Sequence, residues 1–597
     1  MIFLNRKFLL FLVDIFSTFL AGILSLFVRF GFNFREMSKY DESIYIYILI
    51  SSIVYIFNGN YKIVWRYANQ KDFLKLFRSS IISYFLVLTF FHFANNIVLP
   101  RSVGFVMFLS SFTILVGVRL FYQFILENRR NSERRYLIIG SGDVAVSIAE
   151  EIIKSGLGDV VGFIGDDASK IGRTIFGKKV LGPLIKLEDY LKLFDYDEVI
   201  IAQPNLNSKQ INDIIEKVNL KRTKVKVIPS FEELFKEKIG IEDIREISLE
   251  DIIGREPVKV SLNDIKECIK DRVVLVTGAG GSIGSEICRQ IAFQKPKELL
   301  LLGRGENSIY EINEELNEKF PDLKVSRIIA DVENYKWMEE IFKRYKPEIV
   351  FHTAAHKHVP LMEENPYEAI RVNVFGTINL VKLSCVFNVE KFVFISTDKA
   401  VNPTSFMGLS KRISELYVLS KKCSTRFSIV RFGNVIGSRG SVLWKFKKQI
   451  ENGKPVTITH PEMKRYFMSI PEAVSLVLQS IVLNGNLFVL DMGKQISVEQ
   501  IAGKLAKLLG KEDIDVVYTG IRGGEKLYEE LFYPYEIPKN TEHPKIYSVD
   551  FRPNISENEI EYISKEILES LMHFNIEKAE MLAKKIVPEF KFRGGVK

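Results

Sequence analysis

Four long apolar runs dominate the first 130 residues of the chain, and each predicts a helix that crosses a membrane. They are residues 8–28, 43–57, 79–99 and 103–126. A spanning helix needs about 20 mostly apolar residues, and three of the runs are long enough. The second run is shorter and needs neighbouring Tyr and Asn residues at the membrane interface. We therefore expect residues 1–130 to form a four-helix transmembrane region.

Basic residues around these runs predict the orientation of the helices. Loops rich in Lys and Arg stay on the cytoplasmic side of a membrane. Only four basic residues lie on one side of the runs, whereas the other side has eleven: Arg6, Lys7, Lys62, Arg66, Lys71, Lys75, Arg78, Arg129, Arg130, Arg134 and Arg135. Both ends of this region, and the large region that follows it, are therefore expected in the cytoplasm.

Asp14 lies inside the first apolar run. An ionisable side chain within a membrane is by default a candidate functional residue. No second ionisable group is expected at a similar depth. We therefore favour a position that faces another helix, or lies close to the interface, over a functional role.

A strand, a glycine-rich turn and a helix follow the membrane region. Residues 135–140 read RYLIIG, and GSGDVA begins at residue 140, before a helical pattern. Further strand-like runs alternate with helices, which predicts a parallel α/β sheet. Ala145 stands where a dinucleotide-binding loop has its third glycine. We interpret residues 131–247 as a Rossmann-like domain with a structural or regulatory role, and nucleotide binding is the alternative.

The same pattern restarts more strongly after a connector at residues 248–270. An apolar strand leads into Gly278, Gly281 and Gly284 of the sequence GAGGSIG, and a helix follows. Gly278 permits a tight turn, Gly281 lets the backbone approach a pyrophosphate, and Gly284 lets the helix pack on the sheet. Residues 271–597 are therefore expected to bind NAD or NADP. A glycine-rich turn that binds nothing is the alternative.

Residues at the ends of the next two strands bear on the choice of cofactor. NAD-binding folds often have a carboxylate for the ribose at the end of the second strand, but this chain has Gly303 and Arg304 there. Arg304 could pair with a 2′-phosphate, so we favour NADP, although Glu306 is close enough to keep NAD open. Asp331 follows the third strand. We expect it either to accept from the adenine amino group or to cap a helix.

Length, charge and cysteine content limit the remaining classes. The 597 residues suffice for three to five domains, and 82 basic residues are nearly balanced by 73 acidic ones. No Arg-rich helix or zinc-finger spacing appears, so nucleic-acid binding is not expected. The four cysteines form no CxxC pair. We expect neither a disulfide scaffold nor a cysteine zinc site, but reduced thiols in a cytosolic domain.

A series of motifs in a fixed order identifies the protein family that residues 271–597 resemble. Beside TGAGGSIG they are HTAAHKHVPLMEE, NVFGT, FISTDK, MGLSK, RFGN, PVTITHPEMKRYFMSIPEA and GIRGGEKLYEEL. Together with the apolar N-terminus and the GREPV connector, these motifs resemble the membrane-bound nucleotide-sugar 4,6-dehydratases of bacterial capsule, O-antigen and protein-glycan synthesis. That family consists of extended short-chain dehydrogenase/reductases. It usually has Pro where Gly523 stands.

The resemblance implies a reaction as well as a fold. In this family NAD(P)+ takes a hydride from C4 of the hexose, and the resulting ketone acidifies the C5 proton. A base removes that proton, an acid helps the C6 hydroxyl to leave as water, and the hydride returns to C6. The resemblance implies UDP-N-acetylglucosamine as substrate, tightly bound NAD(P), a homo-oligomer, contact with membrane lipid and a place in the bacterial inner membrane.

The resemblance assigns the acid and the base to the TDK sequence. Asp398 is the expected acid toward the C6 hydroxyl and Lys399 the expected base at C5, with Thr397 beside them. A lysine base must be neutral, so its pKa must fall from about 10.4, through burial and a nearby nicotinamide cation. Asp398 must instead hold a proton, so the pair could share one and the roles could be reversed. An exposed turn with an ion pair is the alternative interpretation.

Met407 is the main departure from the wider superfamily, which usually has Tyr four residues before a Lys. A thioether cannot take a proton. Met407 and Lys411 lie on one helix face, so Lys411 can still hold the nicotinamide ribose. Either the chain is inactive, or Thr397, Asp398 or a water relays the C4 proton. The membrane-bound dehydratases that this chain resembles carry Met at this position, so the resemblance implies an active enzyme whose product retains the C5 configuration.

The remaining contacts are also implied by the resemblance. The cofactor residues are Gly278, Gly281, Ser282, Ile283, Gly284, Arg304, Asp331, Val332, Ala354, Ala355 and Lys411. The substrate residues are Lys357, His358, Asn434, Arg465 and Arg522, of which the two arginines are expected to clamp the diphosphate. His352 and His356 lack carboxylate partners at metal-ligand spacing, so structural roles are favoured over a metal.

Two other functions stay open. A nucleotide-sugar 4-epimerase needs only oxidation at C4 and its reversal, and therefore has no use for an Asp398–Lys399 acid/base pair. A non-catalytic membrane scaffold that binds a nucleotide sugar is the other alternative, suggested by Met407.

Overall fold

The computed structural model divides the chain into two compact units, Met1–Glu133 and Arg134–Lys597. It describes residues 2–63, 65, 68, 70–93, 99–128, 134–203, 206, 208–218, 223–228, 244–247, 260–511 and 513–592. The GREPV segment of the predicted connector lies outside the described residues, as do Arg66, Arg129 and Arg130.

Long helices form the N-terminal unit. They are α1 (Ile2–Phe30), α2 (Asp41–Phe57), α3 (Gln70–Phe93) and α4 (Arg101–Asn128). The stretches of this unit that are long and apolar enough to cross a membrane are Phe8–Phe30, Phe34–Phe57, Gln70–Phe93 and Arg101–Gln123, and the second begins before α2. A fifth such stretch, Pro366–Val386, belongs to the second unit, where most of it is buried in the protein core.

The position predicted for the third membrane helix is wrong. α3 begins at Gln70 and not at residue 79, so that Lys71, Lys75 and Arg78 form its first turns. The apolar pattern missed this start because a helix can extend beyond the hydrocarbon region, where water and headgroups solvate its charged side chains.

Asp14 in α1 pairs with Arg119 in α4 through a contact of 2.7 Å, and the two side chains are 3% and 1% exposed. The Arg119 guanidinium also lies 4.4 Å from the centre of the Trp65 ring. The expectation that no ionisable group lies at the depth of Asp14 is therefore wrong. A charge inside a membrane is costly unless it is paired, and Arg119 supplies the partner from a distant part of the sequence.

A seven-stranded sheet forms the first part of the second unit, in the order β3-β4-β2-β1-β5-β6-β7. The strands are β1 (Arg135–Ile139), β2 (Asp159–Ile164), β3 (Thr174–Ile175), β4 (Lys178–Leu181), β5 (Glu198–Ile201), β6 (Lys224–Val227) and β7 (Arg245–Glu246). The helices between them are α5 (Asp143–Ser155), α6 (Leu187–Leu191) and α7 (Ser208–Lys217). The central strands are parallel, as the alternation of strands and helices predicts.

A nine-stranded sheet forms the rest of the unit, in the order β10-β9-β8-β11-β12-β13-β18-β22-β21. Its strands are β8 (Val273–Thr277), β9 (Glu298–Gly303), β10 (Val325–Ile329), β11 (Ile349–His352), β12 (Lys391–Ile395), β13 (Arg426–Arg431), β18 (Leu487–Leu490), β21 (Pro538–Asn540) and β22 (Ile546–Val549). All pairs are parallel except those that join β22 to its two neighbours. The central strands β8, β9 and β11 are buried along almost their whole length, which explains their continuous apolar sequences.

Helices cover both faces of this sheet. They are α8 (Leu262–Ile269), α9 (Ser282–Phe293), α10 (Glu306–Lys319), α11 (Tyr335–Tyr345), α12 (Val359–Glu364), α13 (Gly376–Val386), α14 (Phe406–Ser420), α15 (Val442–Glu451), α16 (Ile470–Ser480), α17 (Val498–Leu508), α18 (Glu557–Met572) and α19 (Ile576–Ile586). Short strands pair beside them: β14 (Asn434–Val435) with β17 (Phe467–Met468), β15 (Val456–Ile458) with β20 (Val516–Tyr518), and β16 (Lys464–Arg465) with β19 (Ile496–Ser497).

The expectation of reduced thiols is wrong for two of the four cysteines. Cys385, in α13, forms a disulfide with Cys423, which follows α14, and their Cα atoms are 5.8 Å apart. Cys268 and Cys288 remain free thiols. Spacing along the chain did not reveal the bridge, because only the packing of α13 against α14 brings the two cysteines together.

Candidate active site

The candidate site lies at the carboxyl ends of the parallel strands. β9 and β10 lie on one side of β8, and β11 begins the other half of the sheet. Ligands of open α/β sheets bind at such a reversal in strand order. The loops after β8, β11, β12 and β13 meet there and line a cavity of about 700 Å³.

The glycine-rich loop after β8 forms one wall of this cavity. Gly278 has a φ of +67°, and a Cβ added to it would lie 2.8 Å from the amide nitrogen of Ala354. Gly281 is the N-terminal cap of α9, whose first turn contains no acidic residue. A Cβ on Gly284 would overlap the Gly278 carbonyl oxygen. Backbone and a positive helix end therefore approach the cavity without obstruction, which fits the pyrophosphate of a dinucleotide.

The structure brings most of the predicted cofactor residues together. Gly278, Gly281, Ser282, Ile283, Gly284, Ala355 and Lys411 line the cavity. Ala354 packs behind the turn at Gly278, and Val332 is buried in the core.

Arg304 and Asp331 lie outside the cavity lining, at the ends of β9 and β10. The Arg304 side chain is mostly exposed, and its Nη1 is 3.6 Å from Asp331 Oδ2. Asp331 accepts a hydrogen bond from the Glu333 amide, whereas Asn334 caps α11. The alternative that Asp331 caps a helix is therefore wrong.

Thr397, Asp398 and Lys399 form a tight turn directly after β12. Lys399 Nζ donates to Asp398 Oδ1 at 2.9 Å and to Asn434 Oδ1 at 2.9 Å. Thr397 Oγ1 donates to the same Asp398 oxygen. The Asp398 side chain is fully buried, so the interpretation of this sequence as an exposed turn is wrong. Thr397 and Lys399 line the cavity, with Asp398 behind them.

The charges around Lys399 contradict the expectation that its pKa is lowered. Burial opposes the ammonium, but the carboxylates of Asp398 and Glu529 outweigh it, so the pKa of Lys399 lies above its ordinary value. Glu529 Oε1 is 3.7 Å from Lys399 Nζ. The sequence did not indicate this second carboxylate, because it comes from a segment far along the chain.

Met407 and Lys411 are held by the start of α14. Ser405 caps this helix by accepting from the Gly408 amide, and Met407 is 3% exposed. Lys411 Nζ lies 3.9 Å from the centre of the Phe394 ring. Burial lowers the pKa of Lys411 to about 7, although Glu415 partly opposes the shift. Both residues line the cavity, so the position of the usual Tyr is occupied by a thioether.

All five predicted substrate residues line the same cavity. Burial and the nearby Lys399 charge lower the pKa of Lys357, whose amine donates to Ser438. The carbonyl oxygen of the Asn434 side chain accepts from Lys399, so its amide nitrogen is the group that remains to donate to a ligand. Within the described residues, the guanidinium of Arg522 makes no hydrogen bond or ion pair.

Arg465 is more constrained than the sequence suggested. Its guanidinium donates to the carbonyl oxygens of Lys464, Lys526 and Leu527 at 2.7–3.0 Å. These bonds hold the segment that carries Glu529 and leave few donors for a phosphate. Its assignment to the diphosphate stays a prediction.

A buried ionic cluster contacts the residue before the TDK turn. The sequence did not indicate this cluster. Glu415 accepts from Ser396 at 2.6 Å, and from Arg431 and Arg412. Burial favours the neutral acid, but the two guanidiniums outweigh it and lower the pKa of Glu415 to about 2. Glu536 pairs with Arg431 from the other side. Because Ser396 directly precedes Thr397, its hydrogen bond to this cluster anchors the start of the TDK turn at the end of β12.

Asn373 is a second residue that the sequence did not single out. Its side chain accepts from the His356 amide and donates to the His356 carbonyl and to Ser410. It thereby joins the loop after β11 to α14. The NVFGT motif contains it, but the motif alone does not reveal what it contacts.

The two histidines before Lys357 have different surroundings. His352 is buried between Thr277 and Thr377, whose hydroxyls lie 2.8 and 3.0 Å from its ring nitrogens. Burial keeps its pKa well below the ordinary value. His356 lines the cavity and lies 3.8 Å from Glu368.

Two family models match the chain. A model described as a polysaccharide biosynthesis protein matches residues 274–550. A model described as a CoA-binding domain matches residues 57–229.

Whole proteins match over most of the chain. The capsular polysaccharide biosynthesis protein CapD of Staphylococcus aureus is 40% identical over 516 residues, which cover 83% of this chain and 84% of that protein. The probable polysaccharide biosynthesis protein EpsC of Bacillus subtilis is 39% identical over 545 residues, or 87% of this chain and 90% of that protein. A UDP-glucose 4-epimerase of Rickettsia bellii is 34% identical over 280 residues, or 45% of this chain and 80% of that protein.

Proposed function

This chain belongs to the family of polysaccharide biosynthesis proteins that includes CapD and EpsC, and from that premise we propose that it is a nucleotide-sugar 4,6-dehydratase. The substrate that we propose is UDP-N-acetylglucosamine. The product is the 4-keto-6-deoxy sugar with its C5 configuration retained, for a bacterial surface polysaccharide or glycoprotein glycan.

One observation supports this reaction above the others, namely the buried Asp398–Lys399 pair beside the glycine loop. Dehydration across C5 and C6 needs a base and an acid on one sugar. Lys399 lines the cavity, and its Nζ is 2.9 Å from Oδ1 of Asp398, which lies behind it. An epimerase needs neither group, so the pair favours dehydration.

We propose NAD(P)+ as the cofactor, because the glycine loop and the start of α9 fit a pyrophosphate. When bound, it would accept the hydride from C4 and return it to C6. Lys411, a nearly buried residue of the cavity wall, would hold the nicotinamide ribose. The exposed guanidinium of Arg304 is the group that would receive a 2′-phosphate, and it is why NADP is favoured.

The chain itself handles the protons. Lys399 first passes a proton to Asp398 across their 2.9 Å contact. The neutral amine then takes the C5 proton, and the electron pair of the C–H bond passes into the bond between C5 and C6 as the C6 hydroxyl leaves. Asp398 gives that hydroxyl a proton, so that it leaves as water. Lys399 then returns its proton to C5. Thr397, Asp398 or a water takes the C4 hydroxyl proton in place of the missing Tyr.

For the remaining regions we propose the following arrangement. Helices α1–α4 form a multi-pass anchor in the bacterial inner membrane, with the N-terminus and the catalytic domain in the cytoplasm. Residues 131–247 form a structural or regulatory Rossmann-like domain. Residues 271–597 form the catalytic domain, and the enzyme is a homo-oligomer.

The experiment uses UDP-N-acetylglucosamine that carries deuterium at C4. The detergent-solubilised full chain is expected to give a product that has lost one water and carries the deuterium on its new C6 methyl group. An Asp398→Asn variant is the matched control and is expected to give far less product.

Three results would contradict the proposal. An isomer of unchanged mass would identify the 4-epimerase that the Rickettsia relative suggests. No change in the sugar would identify a non-catalytic scaffold. A dehydrated product without deuterium at C6 would exclude the internal return of the hydride.

A further inference from the structure

Glu529 is a buried carboxylate beside Lys399 to which the proposed reaction assigns no role. Its side chain is 4% exposed, and its Oε1 lies 3.7 Å from Lys399 Nζ and 3.7 Å from Arg465 Nε. Its Oε2 is buried and has no hydrogen-bond partner among the described residues. A buried carboxylate persists only beside compensating charges, and the two cations supply them.

Lys399 therefore lies between two carboxylates that come from different parts of the fold. Asp398 contacts its amine from the same turn, and Asn434 contacts it from the start of β14. Glu529 contacts it from the segment between β20 and β21. The remaining charged groups that influence Lys399 are the cations of Arg465 and Lys357.

Arg465 fixes the position of Glu529. Its hydrogen bonds to the carbonyl oxygens of Lys526 and Leu527 hold the backbone just before Glu529. Gln495 adds a hydrogen bond to the Glu529 carbonyl at 2.7 Å. The carboxylate is therefore held at one place beside Lys399, as electrostatic stabilisation of a reaction step requires.

We propose that Glu529 is a positioning residue for the base of the dehydration step, and this inference rests on the proposed function. Its carboxylate holds the Lys399 amine and stabilises the ammonium that forms when Lys399 takes the C5 proton. In that step the C5–H bond breaks, an N–H bond forms and the electron pair stays on the sugar. The new positive charge then lies beside Glu529 until the proton returns to C5.

The test is the pH dependence of kcat for Glu529→Gln in the full-length holoenzyme, with UDP-N-acetylglucosamine as substrate. Gln keeps the shape but removes the charge. An opposite charge at this distance shifts a pKa by about 1–3 units. We therefore expect the acid limb of the profile to move to lower pH by about one unit. The plateau is expected to fall, because Lys399 becomes a weaker base.

Glu530→Gln is the matched control. Glu530 is half-exposed, bonds to Asn402 and Lys526, and does not line the cavity. This variant should keep the wild-type profile. Glu529→Asp keeps the charge and should keep the acid limb close to its wild-type position.

Two classes of result would overturn the inference. If Glu529→Gln lowers kcat equally at every pH, or leaves the profile unchanged, Glu529 is only structural although the dehydratase function stands. If the wild-type chain makes no keto-sugar, the proposed function fails, and the role of Glu529 fails with it.

Discussion

The chain contains two strand–glycine–helix units, at residues 140–145 and 278–284, and they differ in what surrounds the loop. In the first, Ser141 is almost buried, and its carbonyl oxygen accepts from Lys170 at 2.7 Å. A Cβ on Gly165 would lie 2.6 Å from the Ser141 hydroxyl. The chain itself therefore packs closely against this loop. The second loop instead forms the wall of the cavity that contains Lys399.

The helices that follow the two loops, α5 and α9, also start differently. Gly142 caps α5 and Gly281 caps α9, each in an extended conformation. Three residues later the first helix has Ala145, whereas the second has Gly284, where a methyl group would overlap the Gly278 carbonyl oxygen. α9 therefore lies closer to its own loop than a side chain allows. The comparison teaches that a glycine-rich turn sets the local backbone, whereas a site also needs open space and converging side chains.

The largest expected effect comes from the side chains that converge only on the second loop. Lys399→Ala should lower kcat by about 100- to 10,000-fold, because general acid–base groups contribute that much. The glycine loop is unchanged, so the purified variant should retain its nicotinamide cofactor. Turnover and cofactor content are measured on the same sample. A rate within a few-fold of wild type would remove Lys399 from the chemistry.

An intermediate effect is expected from filling the tight contact at the second loop. Gly284→Ala forces α9 away from Gly278 and should cost about 1–3 kcal/mol of stability, as overpacking does, together with most of the bound cofactor. Thermal denaturation and cofactor content measure both effects.

The control for that substitution is the reverse change at the first glycine-rich loop, residues 140–145. Ala145→Gly should cost about 1 kcal/mol through lower helix propensity and leave turnover unchanged. If Ala145→Gly also lowered turnover, the first loop would contribute to the reaction and the comparison would break.

The smallest expected effect concerns Lys411, the buried lysine of the cavity beside the second glycine-rich loop. The pKa of Lys411 is about 7 in the folded chain and about 10.4 in the unfolded chain. Between these values the unfolded chain binds the extra proton, so stability should rise with pH, by up to about 1.4 kcal/mol per unit. Lys411→Met should remove this rise between pH 7.5 and 8.5.

Lys154→Met in α5 is the control for the pH effect, because Lys154 is mostly exposed. Denaturant unfolding of the full chain at the two pH values measures the difference. An equal pH slope in wild type and Lys411→Met would show that Lys411 is not a buried, depressed lysine.

Local pattern alone was enough for most of the secondary structure and for the edge of the sheet where the candidate site lies, whereas the family resemblance supplied most of the site residues. The glycine loop, the TDK turn and Asn434 each follow an apolar strand, and parallel strands bring their carboxyl ends to one edge of the sheet. The same pattern misplaced α3, because apolar runs do not record a helix start that lies among charged residues. It also gave Arg465 more freedom than its carbonyl contacts allow.

By itself the sequence determined the apolar helices, the two α/β units and the edge of the sheet where the motifs meet, because these depend on residues that are neighbours in the chain. Only the tertiary structure decided that Asp14 pairs with Arg119, that Cys385 joins Cys423, and that Glu529 lies beside Lys399. It also decided that the pKa of Lys399 lies above its ordinary value, because the carboxylates of Asp398 and Glu529 outweigh burial. The physical reason is that the pKa of a buried group depends on burial and on charges within a few ångströms, and the fold brings those charges from distant segments.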